Sequence, residues 1–268
     1  MDINWCRSWR REWDCTCSSA SRQTLPFKIF AVLLLLVCIA LGNAEEEAEL
    51  VFEPKHPAKP LRFCSAYAKW ESYVRSDTSY VEISHFPHVT LDLRYGTFHN
   101  VTGHDLYCGS KRAYLKTMAA QKFRKAIRLL QKEKSGYRFV VFDAARPVYA
   151  QARLRETVAG TPFRDYVSNP KHGSVHNFGY ALDLTIADEN GKVLDMGTDF
   201  DSFENRAGEK GEAEALRRGT LTESQIENRR LLKSIMKKAG FLPLNSEWWH
   251  FNAIPSKTIR ATGELPPF

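Results

Sequence analysis

His176 and Asp183 lie seven residues apart in GSVHNFGYALDLT (173–185), and Asp183 stands in an apolar run, A-L-D-L-T-I. A carboxylate buried without a partner is expensive, so such a residue is normally paired, hydrogen-bonded or bound to a metal. Histidine and carboxylate are both good donors for zinc, which in catalytic sites takes three protein ligands and keeps a fourth position open. Gly179 lets the chain turn between His176 and Asp183. A third ligand has to come from elsewhere, and the best candidate is His250 in Glu247-Trp248-Trp249-His250.

Glu247 has a separate task in this scheme. A hydrolytic water must lose a proton and the leaving amine must gain one, and a glutamate three residues from a ligand histidine can serve both steps. Trp248 and Trp249 are expected to wall the site from water and raise the carboxyl's pKa. The helical H-E-x-x-H arrangement is absent. Arg146, in Asp143-Ala144-Ala145-Arg146-Pro147, follows an apolar strand directly and could hold an oxyanion, with Asp143 orienting its guanidinium. Each residue alone has a plainer explanation: a core histidine, aromatic packing, a surface arginine at a helix start. The set in the order Arg, His, Asp, Glu, His is harder to explain that way.

The elements that must position these groups follow from pattern. Tyr80 to Tyr95 reads as strand, Ser110 to Lys134 as a helix with one apolar stripe ended by Gly136, and Tyr137 to Phe142 as a buried strand. Pro147 to Val158 reads as helix, with Pro147 tolerated in its first turn. Ala181 to Ile186 reads as strand, residues 202–220 as a surface loop or short helix, Thr222 to Lys238 as a capped helix closed by Gly240, and Ser246 to Ala253 as a last strand. Helices and strands mix without a strict βαβ rhythm. The fold class expected is therefore α+β, helices packed on a mainly antiparallel sheet with the zinc site in a central cleft.

Composition is that of a globular chain: 268 residues, 43% hydrophobic, 26% charged, net charge +7. The 13-residue apolar run Ile29 to Leu41 follows Arg22 and Lys28 and precedes Gly42-Asn43-Ala44. It reads as a secretory signal peptide cut after Ala44, being short of the about 20 apolar residues a spanning helix needs. Residues 1–44 form the leader, 45–60 an acidic, then Pro-rich linker, and 61–268 the functional domain. The leader holds five Lys/Arg and three Asp/Glu, so its loss takes the net charge from +7 to +5. The remaining basic residues are dispersed. Nucleic-acid binding is not expected, and contact with a membrane is expected only through an uncleaved leader. Four of six cysteines lie in the leader; Cys64 and Cys108 remain and could form a bridge in an oxidising compartment.

The motifs S-x-H-x-x-G-x-A-x-D (174–183) and E-W-W-H (247–250) resemble the zinc D-Ala-D-Ala peptidases of family M15, and more narrowly the VanX-type D-alanyl-D-alanine dipeptidases. LDLRYGTFHNVTG (91–103), FDAARP (142–147), MGTDFD (196–201) and NRRLLKSIM with GFLPLNSEWWH (228–250) carry the narrower match, which covers about residues 61–255. The resemblance implies one zinc ion on His176, Asp183 and His250, Glu247 as general base and acid, and Arg146 as oxyanion stabiliser. It implies Asp201 as the carboxylate that receives the substrate's free amino group, and Ser174 as a substrate contact. A free-amine pocket would select a dipeptide over a longer stem peptide. Tyr67, Tyr73 and Tyr80 are candidates for a further amine-side contact. The implied activity is hydrolysis of D-Ala-D-Ala. Carboxypeptidase or endopeptidase action on wall stem peptides is the alternative, and a non-enzymatic wall-binding module the third reading. Relatives with a resistance role act in the cytoplasm. A working leader would instead place this chain in the periplasm or cell envelope, in wall turnover or dipeptide salvage, and a non-functional one would leave it cytoplasmic. His85, His88, His99, His104 and His172 are assigned no role, and the Asn100-Val101-Thr102 sequon is read as chance.

Overall fold

Seven strands and six α-helices build the part of the chain that the computed structural model describes, Phe52 and residues 57–268. The expected leader, its four cysteines and most of the linker fall outside those residues. In chain order the elements are α1 (Cys64–Ser76), β1 (Tyr80–Glu82), β2 (Val89–Leu91), β3 (Tyr114–Lys116), α2 (Thr117–Glu133), β4 (Arg138–Asp143) and α3 (Val148–Thr157). There follow β5 (Ala181–Ala187), α4 (Glu209–Arg217), α5 (Glu223–Ala239), β6 (Leu242–Leu244), β7 (Glu247–Asn252) and α6 (Ser256–Thr262). No described helix is long and apolar enough to cross a membrane.

The class is α+β, and the main sheet is mixed rather than antiparallel throughout. Its order is β2-β4-β5-β7-β6, with β2 parallel to β4 and the other three pairings antiparallel; β1 and β3 form a separate antiparallel pair. The single strand expected over Tyr80–Tyr95 is therefore two strands in two sheets. Pro87 and His88, the latter in the left-handed region at φ 57°, break it. The long helix starts later than its apolar pattern suggests because Tyr114–Lys116 pairs with β1 first.

α2 buries Ala119, Ala120, Phe123, Ala126, Ile127 and Leu130, one stripe at helical spacing. α5 starts at Thr222, whose side chain accepts from Gln225 N while the Gln225 side chain returns to Thr222 N, and it ends at Gly240 with φ 99°. Both helices lie on one face of the sheet against Phe139, Val141, Leu182, Leu184 and Ile186. Truncating one of these core side chains to alanine costs about 2–5 kcal/mol. Side chains alternate along a strand, so Asp183, between Leu182 and Leu184, is directed to the opposite face. There a second cluster, rich in aromatics, gathers Tyr67 and Trp70 of α1 with Tyr95, Tyr107 and Tyr114.

Cys64 and Cys108 form a disulfide with Cα atoms 4.8 Å apart, joining the start of α1 to the loop before β3. Asn100 is buried, its amide donating to the carbonyls of Arg94, Thr97 and His104, which leaves the sequon no free nitrogen for a glycan.

Candidate metallopeptidase site

Strand register brings the site together. Asp143 on β4 is paired with Asp183 on β5, and Asp183 with His250 on β7, so three polar groups form a row across the sheet. The register shift between Val141 and Asp143 belongs to this row: a bulge re-aims the side chain at the end of β4. His176 comes from the turn before β5. Gly179 in that turn has φ 75°, and a Cβ there would lie 2.7 Å from the ring of Tyr80, so glycine is required. The turn is tied to the segment after β4 by Arg146 N donating to His176 O and the Asn177 amide donating to Arg146 O.

His176 Nε2, Asp183 Oδ1 and His250 Nδ1 converge. Their separations are 3.2 Å for His176–Asp183, 2.9 Å for His250–Asp183 and 3.2 Å between the two histidines. All three residues are buried, and among the described residues they are the one cluster of histidine, cysteine and carboxylate able to hold a metal ion. The remote ring nitrogens are occupied: His176 Nδ1 lies 2.7 Å from Ala144 O, and His250 Nε2 lies 2.9 Å from Asn252 Oδ1. Such partners fix ring orientation and leave the facing nitrogen free to ligate. Burial alone would lower the His250 pKa, but the hydrogen bond and charge of Asp183 outweigh it and push the pKa up to about 9. Burial would raise the Asp183 pKa, and the two histidines overcome that and hold it below the usual carboxylate range.

The other expected residues lie around the same cavity, whose volume is about 170 Å³. Glu247 Oε2 is 3.9 Å from His250 Nδ1. Burial pushes its pKa up to about 7, against the lowering pull of His250. Arg146 donates from Nε to Asp143 Oδ2 at 2.8 Å and from an Nη to Gln151 Oε1 at 2.9 Å. Its other Nη lies 3.4 Å from Asp183 Oδ2. Burial opposes its charge, but Asp143 more than compensates, so it stays a cation. Asp201 also lines the cavity, accepting from Tyr95 OH at 2.8 and 3.0 Å. Burial pushes its pKa up to about 8, against that hydrogen bond. Ser174 is buried at the wall, its N–H donating to Asn177 Oδ1.

Two expectations need correcting. Trp249 lines the cavity, but Trp248 donates to Thr198 Oγ1 and lines a neighbouring cavity, so only one tryptophan shields the site. None of Tyr67, Tyr73 and Tyr80 reaches the cavity; Tyr95 is the tyrosine beside Asp201. Tyr95 stands inside the LDLRYG stretch, but nothing in its spacing distinguishes it from a packing aromatic. Gln151 and Asn252 were likewise missed, because each acts through a partner brought near only by the fold.

A buried His–Asp–His donor set with a glutamate and a fixed arginine at one cavity, on an α+β scaffold, defines a metallopeptidase. The D-Ala-D-Ala dipeptidase profile matches residues 78–262. The chain is 37% identical to the D-alanyl-D-alanine dipeptidase of Escherichia coli over 166 residues, 62% of this chain and 79% of that one. It is 28% identical to a D-alanyl-D-alanine dipeptidase of Synechocystis over 176 residues, 54% of this chain and 71% of the relative. With the Enterococcus faecalis D-alanyl-D-alanine dipeptidase it shares 24% identity over 192 residues, 62% of this chain and 86% of the relative. The chain belongs to the D-Ala-D-Ala dipeptidase family of zinc peptidases.

Proposed function

We propose that this chain hydrolyses free D-alanyl-D-alanine to two D-alanines with one bound zinc ion. The observation that carries the reading is the meeting of His176, Asp183, His250, Glu247 and Arg146 at one cavity in a chain of this family. The donor set fits zinc: one oxygen and two imidazole nitrogens, spaced about as ligands of a tetrahedral ion with bonds near 2.0–2.2 Å require. When bound, zinc supplies Lewis acidity at the scissile carbonyl and makes a nearby water acidic enough to attack at neutral pH.

Glu247 takes the proton of the attacking water and returns it to the leaving amine. Burial, which raises the pKa of this carboxyl, would offset part of the pull of a bound dication and so suits a group that both takes and gives a proton. Arg146 offers N–H groups to the carbonyl oxygen as negative charge develops there. Asp143 and Gln151 hold the guanidinium in advance, so little reorganisation accompanies the reaction. Asp201 receives the substrate's ammonium group, and Ser174 contacts the substrate from the cavity wall. Trp249 limits water access.

The same reading puts the mature chain, residues 45–268 after cleavage behind Ala44, outside the cytoplasm, in envelope turnover or dipeptide salvage. The apolar run over 29–41 followed by small residues supports this, as does the Cys64–Cys108 bridge, since disulfides persist in oxidising compartments.

The test is metal analysis of the purified mature chain, with D-Ala-D-Ala hydrolysis measured with and without a chelator. One zinc per chain and chelator-sensitive hydrolysis are expected. A folded, zinc-free, inactive protein refutes the proposal. Preference for a stem peptide whose amine is acylated would remove the role given to Asp201 and favour carboxypeptidase action.

A further inference from the structure

Arg146 is aimed by a chain of contacts that starts outside the catalytic cavity. The two oxygens of the buried Asp143 carboxylate are held separately, with His176 Nδ1 also 3.5 Å from Oδ2. Oδ2 accepts from Arg146, with Nε at 2.8 Å and an Nη at 2.7 Å, while Oδ1 accepts from Tyr107 OH at 2.8 Å. Tyr107 is 3% exposed, and it is not among the residues that line the cavity. A phenylalanine would fill the same core volume. The hydroxyl's one recorded partner is Asp143, so its effect passes through that carboxylate.

Tyr107 is itself held from two sides. Its backbone N–H donates to Tyr95 O at 3.0 Å, and its ring packs against Tyr67 with centroids 5.6 Å apart. Cys108 follows it directly, at φ 52°, in the left-handed region that side chains rarely adopt, and is bridged to Cys64. Tyr67 lies one turn beyond Cys64 on α1, so the bridge fastens both tyrosines at once. Burial raises the Tyr107 hydroxyl's pKa well above its ordinary value, which keeps it a donor.

We infer that Tyr107 is a positioning residue for the reaction: through Asp143 it fixes the direction of the Arg146 guanidinium, and the Cys64–Cys108 bridge is the anchor that fixes Tyr107. The inference rests on the function proposed for Arg146. Without the hydroxyl, Asp143 loses the contact on Oδ1 that stops its carboxyl group rotating. Arg146 then points at the oxyanion position for only part of the time. The loss falls on the transition state, where the oxyanion exists, and spares ground-state binding.

The experiment compares Tyr107→Phe, Cys64→Ser with Cys108→Ser, and the combination, each zinc-loaded. The readouts are hydrolysis of free D-Ala-D-Ala and solvent exchange of the Arg146 Nε–H proton by NMR. For Tyr107→Phe, a fall in kcat of about tenfold is expected, the size of one lost charge-assisted hydrogen bond, with KM changed less than about twofold. Exchange at Arg146 Nε–H should quicken by about tenfold. Removing the bridge should act in the same direction, and should add little once Tyr107 is already Phe. Wild-type kcat and wild-type exchange in Tyr107→Phe overturn the inference, as does a bridge effect that multiplies fully with that of Tyr107→Phe. If the bridge-free protein does not fold, Tyr107→Phe decides alone, since it keeps both the bridge and the core volume. If the wild-type protein does not hydrolyse the dipeptide, the proposed function fails, while the exchange measurement still decides whether Tyr107 aims Arg146.

Discussion

Zinc binding to the metal-free protein should release protons, and two buried residues, His250 and Glu247, set a countable share of them. His250 has its pKa pushed up to about 9 by Asp183, so at pH 7 its imidazole is almost fully protonated. It must lose that proton before Nδ1 can ligate, which contributes about one proton. Glu247, at about 7, is about half protonated at pH 7. A dication within reach drives it fully to carboxylate and contributes roughly a further half proton. These two residues together should thus release about 1.5 protons per zinc at pH 7, on top of any proton lost by a bound water. In Glu247→Gln that share should fall to about one. At pH 10 the share of these two residues should fall to about 0.1, because His250 is then already neutral and Glu247 already ionised. The assay is isothermal calorimetry of zinc binding in buffers of different ionisation enthalpy. Release near zero at pH 7 would refute the account of His250, and release unchanged by Glu247→Gln would refute that of Glu247. The same raised pKa has a stability consequence. The metal-free fold has the full benefit of the His250–Asp183 contact below the unfolded histidine value of about 6.5, and loses it as pH rises through about 9.

Glu247→Gln should keep its zinc and lower kcat by about 10²-fold or more, the usual size of a lost acid–base group; turnover at the wild-type rate would remove Glu247 from the mechanism. Asp201→Asn should raise KM for free D-Ala-D-Ala by about 10²-fold while leaving an amine-acetylated dipeptide unaffected, which steady-state kinetics on the two substrates would show. Away from the site, the Asp77 carboxyl is held down at about 2, by its hydrogen bond from Lys116 first and then by Ser79. A depressed carboxyl stabilises the fold above its unfolded value near 3.8, and that contribution is lost as pH falls through about 2. Asp77→Asn should therefore cost about 1 kcal/mol near neutrality, after discounting for partial exposure, and almost nothing below about pH 2 by denaturant unfolding.

Much of the cluster that the fold brings together could be picked out in the sequence, because Asp183, His250 and Glu247 each break a local rule. Asp183 interrupts an apolar strand, and His250 and Glu247 sit in an aromatic one. α2 and α5 were legible from apolar spacing and a capping box. α1 was not assigned, since its buried residues are Tyr67, Trp70 and Val74, types that mark strands as readily as helices. Residues 202–220 read as loop or short helix, and α4 occupies Glu209–Arg217 there with Ala215 its one buried residue, so no stripe announced it. The parallel pairing of β2 with β4 could not be read at all. It depends on where a three-residue strand docks, and that is settled by the sheet edge rather than by the sequence of Val89–Leu91. Partners such as Gln151 and Tyr107 were invisible for a similar reason: their chemistry lies in whom they touch.

Proton exchange also explains how so many ionisable groups share one buried cavity. Apolar surroundings penalise any change in net charge, so ligands that alter charge must displace or supply protons. A zinc ion brings two positive charges; at pH 7 the proton leaving His250 and the half proton leaving Glu247 would offset about one and a half of them. Asp201 follows the same logic at the other end of the cavity. Its pKa near 8 keeps it mostly protonated at neutral pH, and in the role proposed for it an arriving ammonium group would exchange one positive charge for that proton. An acylated amine brings no charge, so Asp201 would stay protonated and its contact would be that of a neutral hydrogen bond, weaker than the ion pair a free amine forms. On the role proposed for Asp201, selection for the free dipeptide would come from the depth at which Asp201 is buried, as much as from its position. A variant that opened the cavity around Asp201 to water should lose discrimination between free and acylated substrates even with the carboxylate in place.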